Sequence, residues 1–298
     1  AGAAMAALPA GAVYTGETRG DGVPHGRGTL VGPQGDRHEG LFRDGVPHGF
    51  GRWRAAPTAD GRPPRPAWCA GNFENGVLHG RGVRVFVQDD EWYQGEFVEG
   101  RMEGHGTYIH QKLGTVTSGK FKDNQVHGPA LRKFANGDSF SGEFKHGRSC
   151  GKGVYRFAND GGVYEGEFSE DGASGFGVKQ VEGMRYTGEF RKDKFNGRGT
   201  LQFESGDVYK GEFREDALHG QGVYQFQNDD WCSGTFVNDA MNGYGEFYFS
   251  NGDKYVGEFR NDEIHGAGVF HFVRTDEVYE GQFEEGKVQP VGRMTFSD

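Results

Sequence analysis

A phrase of the form Tyr-x-Gly-Glu-Phe returns every 22 to 24 residues along nearly the whole of this 298-residue chain. Its fullest copies are Tyr164-Glu-Gly166-Glu-Phe168, Tyr186-Thr-Gly188-Glu-Phe190, Tyr209-Lys-Gly211-Glu-Phe213 and Tyr255-Val-Gly257-Glu-Phe259. The central glycines stand at 16, 40, 71, 95, 119, 142, 166, 188, 211, 234, 257 and 281, which makes twelve units with one step stretched to 31. A fixed period of this length marks a stacked array, in which no unit can bury its apolar face alone. Such an array offers one long surface of similar pieces, a poor place to assemble a single active site.

One unit reads as two short strands. Tyr186, Gly188 and Phe190 alternate with Thr187 and Glu189, so the first three share a face. The polar run Arg191 to Lys194 is a turn, and Asn196-Gly197-Arg-Gly199 leads into a second strand whose Gly199, Leu201 and Phe203 share a face. Glu204-Ser-Gly206-Asp207 is a hairpin signal ahead of Tyr209. The first-strand Phe is present in eleven of the twelve units, and only Thr18 breaks it. The second strand repeats Phe86, Phe134, Phe157, Phe203, Phe226, Phe249, Phe272 and Phe296. Glycines between these rings remove side chains from the same face, so rings can lie across bare backbone. Twelve units predict about 24 strands, rising about 9.6 Å per unit to roughly 115 Å along the axis. The sheet must twist, because flat many-stranded sheets are unusual.

Composition agrees with a thin sheet rather than an ordinary core. There are 54 glycines, and 25 Phe with 12 Tyr supply most of the apolar mass. The net charge of −10 weighs against nucleic acid, which rewards clustered Lys and Arg. It also weighs against an anionic membrane surface. Cys69, Cys150 and Cys232 fall in different units; an odd count without paired spacing reads as reduced thiols. The apolar run around Val83–Val87 is far too short to span a bilayer. Residues 1–12 read as a tail without the basic segment of a signal peptide, and Met5 is a candidate native start. Residues 13–298 read as one array carrying a Pro-rich loop at about 55–66.

The phrase Tyr-x-Gly-Glu-Phe, followed by a polar turn and His-Gly-x-Gly, resembles the MORN (membrane occupation and recognition nexus) repeat over about residues 13–296. The resemblance implies an elongated, twisted, single-layer antiparallel sheet of repeated β-hairpins, all-β, with an aromatic-lined groove. It further implies a scaffold at membranes, cytoskeletal structures or flagellar axonemes, and therefore a cytoplasmic location on the cytoskeleton or in a flagellum or cilium. Some proteins of this kind carry a catalytic domain beside the repeats; here the repeats consume the chain.

Several units depart from the pattern. His38, Cys69, Thr117 and Cys232 occupy the Tyr slot of units 2, 3, 5 and 10, and Gly128-Pro129-Ala130 predicts a disturbed strand in unit 5. Units 6 to 9 are the most regular, with Phe140, Tyr164, Tyr186 and Tyr209 in that slot. The histidines of His-Gly-x-Gly (His25, His48, His79, His127, His219, His265) are replaced by Glu103, Cys150, Ser174, Asn196 and Asn242 in other units. A metal ligand or catalytic base would not tolerate that exchange, whereas a turn cap would. Gly281-Gln-Phe-Glu-Glu-Gly286-Lys287-Val288 approaches a phosphate loop but lacks the Ser/Thr after Lys and the following helix. The glutamates beside the central glycine (Glu96, Glu143, Glu167, Glu189, Glu212, Glu258) read as a solvated, aggregation-resistant face, and Pro63-Pro-Arg-Pro66 as a plain loop rather than a polyproline ligand. No cofactor, metal or catalytic residue is expected, and the chain reads as non-enzymatic.

What remains is the ring-bearing face. A single-layer sheet leaves it accessible, and such faces mark partner sites. The expected contacts are Tyr164, Tyr186, Tyr209, Tyr255 and Tyr279, with Tyr155, Tyr224, Phe247 and Phe270 from the facing strands. The expected guest is a helical segment of a cytoskeletal or axonemal protein, with self-association through the terminal units as a further expectation. The alternatives are a peripheral membrane module that binds phosphoinositide headgroups and an accessory region that activates a catalytic partner.

Overall fold

The computed structural model describes residues 8–56, 67–86, 90–170 and 172–296. Most of the expected tail, Met5, and the Pro-rich insert with Pro63–Pro66 lie outside them. The described residues form 24 β-strands in one open antiparallel sheet and no helix. The chain divides into two compact units, Ala1–Cys150 and Gly151–Asp298.

The first unit contains β1 (Val13–Thr18), β2 (Pro24–Val31), β3 (Arg37–Arg43), β4 (Val46–Arg54), β5 (Trp68–Glu74), β6 (Val77–Phe86), β7 (Glu91–Val98), β8 (Arg101–His110), β9 (Thr115–Lys122), β10 (Gln125–Lys133) and β11 (Ser139–Lys145). The strand β12 (Arg148–Arg156) pairs with the second unit from Gly151 onward. That unit continues through β13 (Val163–Ser169), β14 (Gly172–Val181), β15 (Met184–Arg191), β16 (Lys194–Gln202), β17 (Val208–Arg214), β18 (Ala217–Gln225), β19 (Trp231–Val237), β20 (Ala240–Tyr248), β21 (Lys254–Arg260), β22 (Glu263–Phe272), β23 (Glu277–Glu284) and β24 (Lys287–Thr295).

Glycine opposes glycine from strand to strand. Gly188 pairs with Gly199, Gly199 with Gly211, Gly211 with Gly222 and Gly222 with Gly234. The tyrosine two residues before each central glycine lies over this bare seam: a Cβ on Gly222 would stand 2.3 Å from the Tyr209 hydroxyl. The hydroxyl does not dangle. Tyr186 Oη donates to the Glu189 carbonyl at 2.9 Å, and Tyr209 Oη lies within reach of the carbonyls of Glu212 (3.1 Å) and His219 (3.3 Å). Tyr93, Tyr164, Tyr186, Tyr209 and Tyr255 are also held edge-on between two phenylalanines, their own and that of the next repeat. Tyr186 stands 5.1 Å from Phe190 and 4.9 Å from Phe213, both near-perpendicular. Aromatic pairs of this geometry contribute about 0.5–1.5 kcal/mol beyond the area they bury.

The second strand of each hairpin bulges where His-Gly-x-Gly occurs. Gly188 faces Gly199, yet Phe190 faces Phe195, so three residues oppose one, and Gly197 takes a φ of +65°. The N–H of the x residue leaves the ladder and goes to a carboxylate: Arg198 N–H donates to Glu189 at 3.0 Å and Arg27 N–H to Glu17 at 3.2 Å. Glu189 and Glu17 are thus caps as well as solvated groups. The expectation of a disturbed strand at Pro129 is corrected by the same geometry. β10 is continuous, and Ala130 pairs with both Gly119 and Gly142. Proline lacks only the N–H that the ladder does not use there, and Lys120 stands where other repeats place the accepting glutamate.

The hairpin turns within repeats have two central residues of positive φ, as in Glu215 (+53°) with Asp216 (+76°) and Asn261 (+51°) with Asp262 (+69°). That is the type I′ geometry that matches the strand twist. The second of these positions is Gly, Asp or Asn in all ten repeats whose described turn has this pair of positive φ values. Gly281–Val288, the near phosphate loop, is one such turn, with Glu285 and Gly286 at its centre.

Candidate partner-binding face

The nine expected contact residues separate into two groups. Tyr164, Tyr186, Tyr209, Tyr255 and Tyr279 are core: Tyr186, Tyr209 and Tyr255 have 0 % of their surface exposed. These rings are pressed onto glycine backbone, with two phenylalanines edge-on to Tyr164, Tyr186, Tyr209 and Tyr255 and one to Tyr279, and all five are buried, so they are removed from the contact set. Burial also pushes the Tyr164 and Tyr255 hydroxyls up to about 12. The reading from sequence assumed that an uncovered sheet leaves its rings open. Rings lying across bare glycine backbone are as expected; that this closes the tyrosines to a guest is not.

Tyr155, Tyr224, Phe247 and Phe270, from the facing strands, are half-buried. Three of them belong to one ladder that includes the phenylalanines closing each second strand. Phe203 contacts Tyr224 at 5.6 Å, Tyr224 contacts Phe226 at 4.6 Å, and Phe226 contacts Phe247 at 5.8 Å. Phe247 meets Phe249 at 4.5 Å, Phe249 meets Phe270 at 5.6 Å, and Phe270 meets Phe272 at 4.4 Å. Seven tilted rings therefore run unbroken through residues 203–272. Tyr155 pairs with Phe157 at 4.8 Å but stands apart from this row. Lys179 and Leu201 occupy the intervening slots, with the Lys179 ammonium over Phe157 and Phe195. Phe203, Phe226, Phe249 and Phe272 were visible in sequence as a recurring second-strand Phe. What hid their role is that alternation alone does not separate the buried tyrosines from the half-buried rings of the facing strands.

The edges of the sheet beside this row are stitched by carboxylates. Asp207 accepts Gln227 N–H at 2.8 Å and the Tyr224 hydroxyl at 3.1 Å, while Asp230 accepts Ser250 N–H at 2.6 Å. The backbone donors hold both carboxyls below the usual aspartate range. On the other edge Asp216 accepts Phe195 N–H and Asp239 accepts Leu218 N–H, at 2.7 and 2.8 Å. Residues 151–298 carry 27 Asp and Glu against 15 Lys and Arg, so this row lies in a strongly acidic unit.

In the His-Gly-x-Gly slot, Glu103 and Asn242 accept the N–H of Asp123 and of Asn261, whereas His219 Nδ1 is buried without a partner. What repeats regardless of side chain is the slot's carbonyl, to which Tyr93, Tyr209, Tyr255 and Tyr279 turn their hydroxyls. Among the described residues no three His, Cys, Asp or Glu side chains are grouped to hold a metal ion. No helix of the described residues is long and apolar enough to cross a membrane.

The family model of the MORN repeat matches twelve consecutive segments, from 21–37 and 38–56 through 186–208 and 209–231 to 255–274 and 279–298. This chain belongs to the MORN repeat family. Alsin of Mus musculus is 31 % identical over 110 residues, 37 % of this chain and 5 % of Alsin. The ALS2 C-terminal-like protein of Homo sapiens is 39 % identical over 85 residues, 28 % of this chain and 8 % of that protein. The chain thus spans only a small part of the relatives it matches. Among solved structures, the G-box domain of the microcephaly protein CPAP is 14 % identical with a TM-score of 0.38, covering 65 % of this chain and all of that domain. The TCP10 domain of Danio rerio CPAP, in complex with a peptide of Danio rerio STIL, is 12 % identical with a TM-score of 0.27, covering 95 % of this chain and 98 % of that one.

Proposed function

We propose that this MORN array is a non-enzymatic scaffold that holds a helical segment of another protein along the ring row of residues 203–272, in a cytoskeletal or axonemal assembly. The observation that carries the reading is the row itself. Seven rings in unbroken contact stay half-exposed, which is the kind of contiguous apolar face that partners cover. The spacing favours a helix. Equivalent rings recur with each repeat, about 9.6 Å apart for two strands, while one heptad of helix rises about 10.5 Å. Apolar side chains seven residues apart would meet successive repeats. The cytoskeletal or axonemal setting rests on the family resemblance. The acidity of residues 151–298 argues against the rival reading of a membrane module, since anionic headgroups would be repelled there. Self-association through β1 and β24, each with one hydrogen-bonded neighbour among the described residues, extends the same reading.

The test replaces rings of the row and spares the core. Phe226→Thr with Phe249→Thr removes two half-buried rings at strand ends. The double variant is expected to keep the far-ultraviolet circular dichroism and to lose most of the proteins that crosslinking mass spectrometry finds on the intact chain. Recovery of the same proteins at equal occupancy would end the proposal. Tyr186→Ala with Tyr209→Ala is unsuited to this purpose, since deleting buried aromatic rings costs about 3–5 kcal/mol each.

A further inference from the structure

The slot that holds Tyr224, Phe247 and Phe270 in the second unit holds two arginines in the first. Arg84 lies opposite Cys69 and Arg132 opposite Thr117, the positions where the Tyr is missing. The long side chains fill the space left by those small residues. The Arg84 guanidinium lies over the Phe97 ring at 5.1 Å, and that of Arg132 over the Phe144 ring at 4.7 Å. Both line one cleft of about 620 Å³ whose apolar floor includes Met102, Phe121 and Val126.

Neither arginine has a carboxylate partner among the described residues. Arg132 donates to Thr117 Oγ1 at 3.1 Å and to the Gly147 carbonyl at 3.3 Å. Arg84 Nε is buried with no hydrogen-bond partner. Glu91, the acidic side chain lining the cleft, is already held by the Tyr108 hydroxyl and by His110 Nε2 at 2.9 Å. Burial holds both guanidiniums below the usual arginine range, the sign of charge removed from water without an offsetting anion. Cation–ring contact offsets only part of that.

We propose that this cleft receives a helical segment of a partner protein that carries two acidic side chains, one for Arg84 and one for Arg132, on either side of an apolar stripe. This rests on the scaffold reading above and names the chemistry of the partner. Arg84 and Arg132 are two repeats apart, about 19 Å by strand spacing, so one phosphate or one carboxylate cannot serve both. Two heptads of helix rise about 21 Å, which brings acidic side chains fourteen positions apart to the two guanidiniums. The leucines between them would cover Met102, Phe121 and Val126. Arginine favours a carboxylate here because its planar fork can donate two parallel hydrogen bonds.

The probe is a fluorescein-labelled, alanine-rich helical peptide with glutamates fourteen positions apart and leucines at the heptad positions between, amidated at its C terminus. The full chain is expected to bind it saturably, and about tenfold more tightly than the same peptide with glutamines. Arg84→Met with Arg132→Met should remove that preference while leaving the thermal midpoint unchanged or higher. Arg84→Lys with Arg132→Lys, which keeps the charge and loses the fork, should retain part of it. Equal binding of the two peptides, an unaffected methionine variant, or no saturable binding would overturn the assignment. So would phosphoinositide vesicles that need both arginines while the peptide does not bind. If Phe226→Thr with Phe249→Thr loses its partners and the peptide shows no acid preference, only this subsite fails; if the row proves dispensable for capture, the scaffold reading fails first.

Discussion

A tyrosine laid on two facing glycines is the contact that recurs along this protein, and exchanges at its position show what it supplies. In the second repeat the piece is built from His38, which sits between Phe42 and Phe73 at 5.3 and 4.6 Å and is 3 % exposed. Neither of its ring nitrogens has a hydrogen-bond partner. Burial holds its imidazole down to about 4. The folded protein therefore keeps His38 neutral where the unfolded chain, with a value near 6.5, takes up a proton. Its contribution is whole above about pH 6.5 and shrinks as the pH falls towards 4, by up to roughly 3 kcal/mol. His38→Tyr supplies the missing hydroxyl and removes the titration. The variant should lose less stability than the parent between pH 7.5 and 5, measured by urea unfolding at both values. Equal losses in the two proteins would mean that His38 does not titrate as described.

At the scale of the hairpin, the second position of each type I′ turn does two things. Its positive φ restricts it to Gly, Asp or Asn, and when it is Asp its carboxylate also takes an N–H from the preceding repeat. Asp216 receives Phe195 N–H and returns its own N–H to the Phe195 carbonyl. These roles can be separated. Asp216→Gly keeps the turn and drops the cap, at about 1 kcal/mol. Asp216→Ala drops the cap and also strains the backbone, for about 2–3 kcal/mol together. Guanidinium unfolding of the three proteins should rank them in that order, and an alanine variant as stable as the glycine one would refute it. This element also shows what was legible beforehand. Strand count, hairpins and the glycine seam follow from a period of two inside a period of about 23, because alternation and backbone spacing are local properties. The bulge was not legible, and with it went the tyrosine hydroxyl's partners, the role of Glu189 and the tolerance of Pro129. Those depend on how two strands slip past each other, which single-strand patterning does not encode. The split between buried Tyr209 and half-buried Tyr224 was hidden for the same reason: both rings alternate identically in sequence, and only their relation to the facing glycines separates them.

For the whole chain, charge is distributed as unevenly as structure is regular. Residues 151–298 hold a net −12 of the total of −10, so residues 1–150 are slightly positive. Like charges along a sheet two strands deep per repeat repel one another within a screening length, about 10 Å at 0.1 M salt and 3 Å at 1 M. Added sodium chloride should therefore raise the thermal midpoint of the portion that contains β13 to β24 more than that of the portion with β1 to β11. Hydrogen exchange followed by mass spectrometry reads the two portions apart, and equal gains would show that repulsion is not what limits the acidic half. The two-edged stitching of repeats has one more consequence. Because Asp216 completes Phe195 on one edge and Asp207 completes Gln227 on the other, no repeat is finished until its neighbour exists. Removing one whole period, from Gly188 to Gly211, would take out Asp193, which caps Ala173 N–H, and bring an equivalent aspartate, Asp216, into its place to reseal the seam. Gain or loss of length in such a chain can thus proceed in whole repeats without inventing a new joint, whereas a cut of half a repeat strands an amide on each edge.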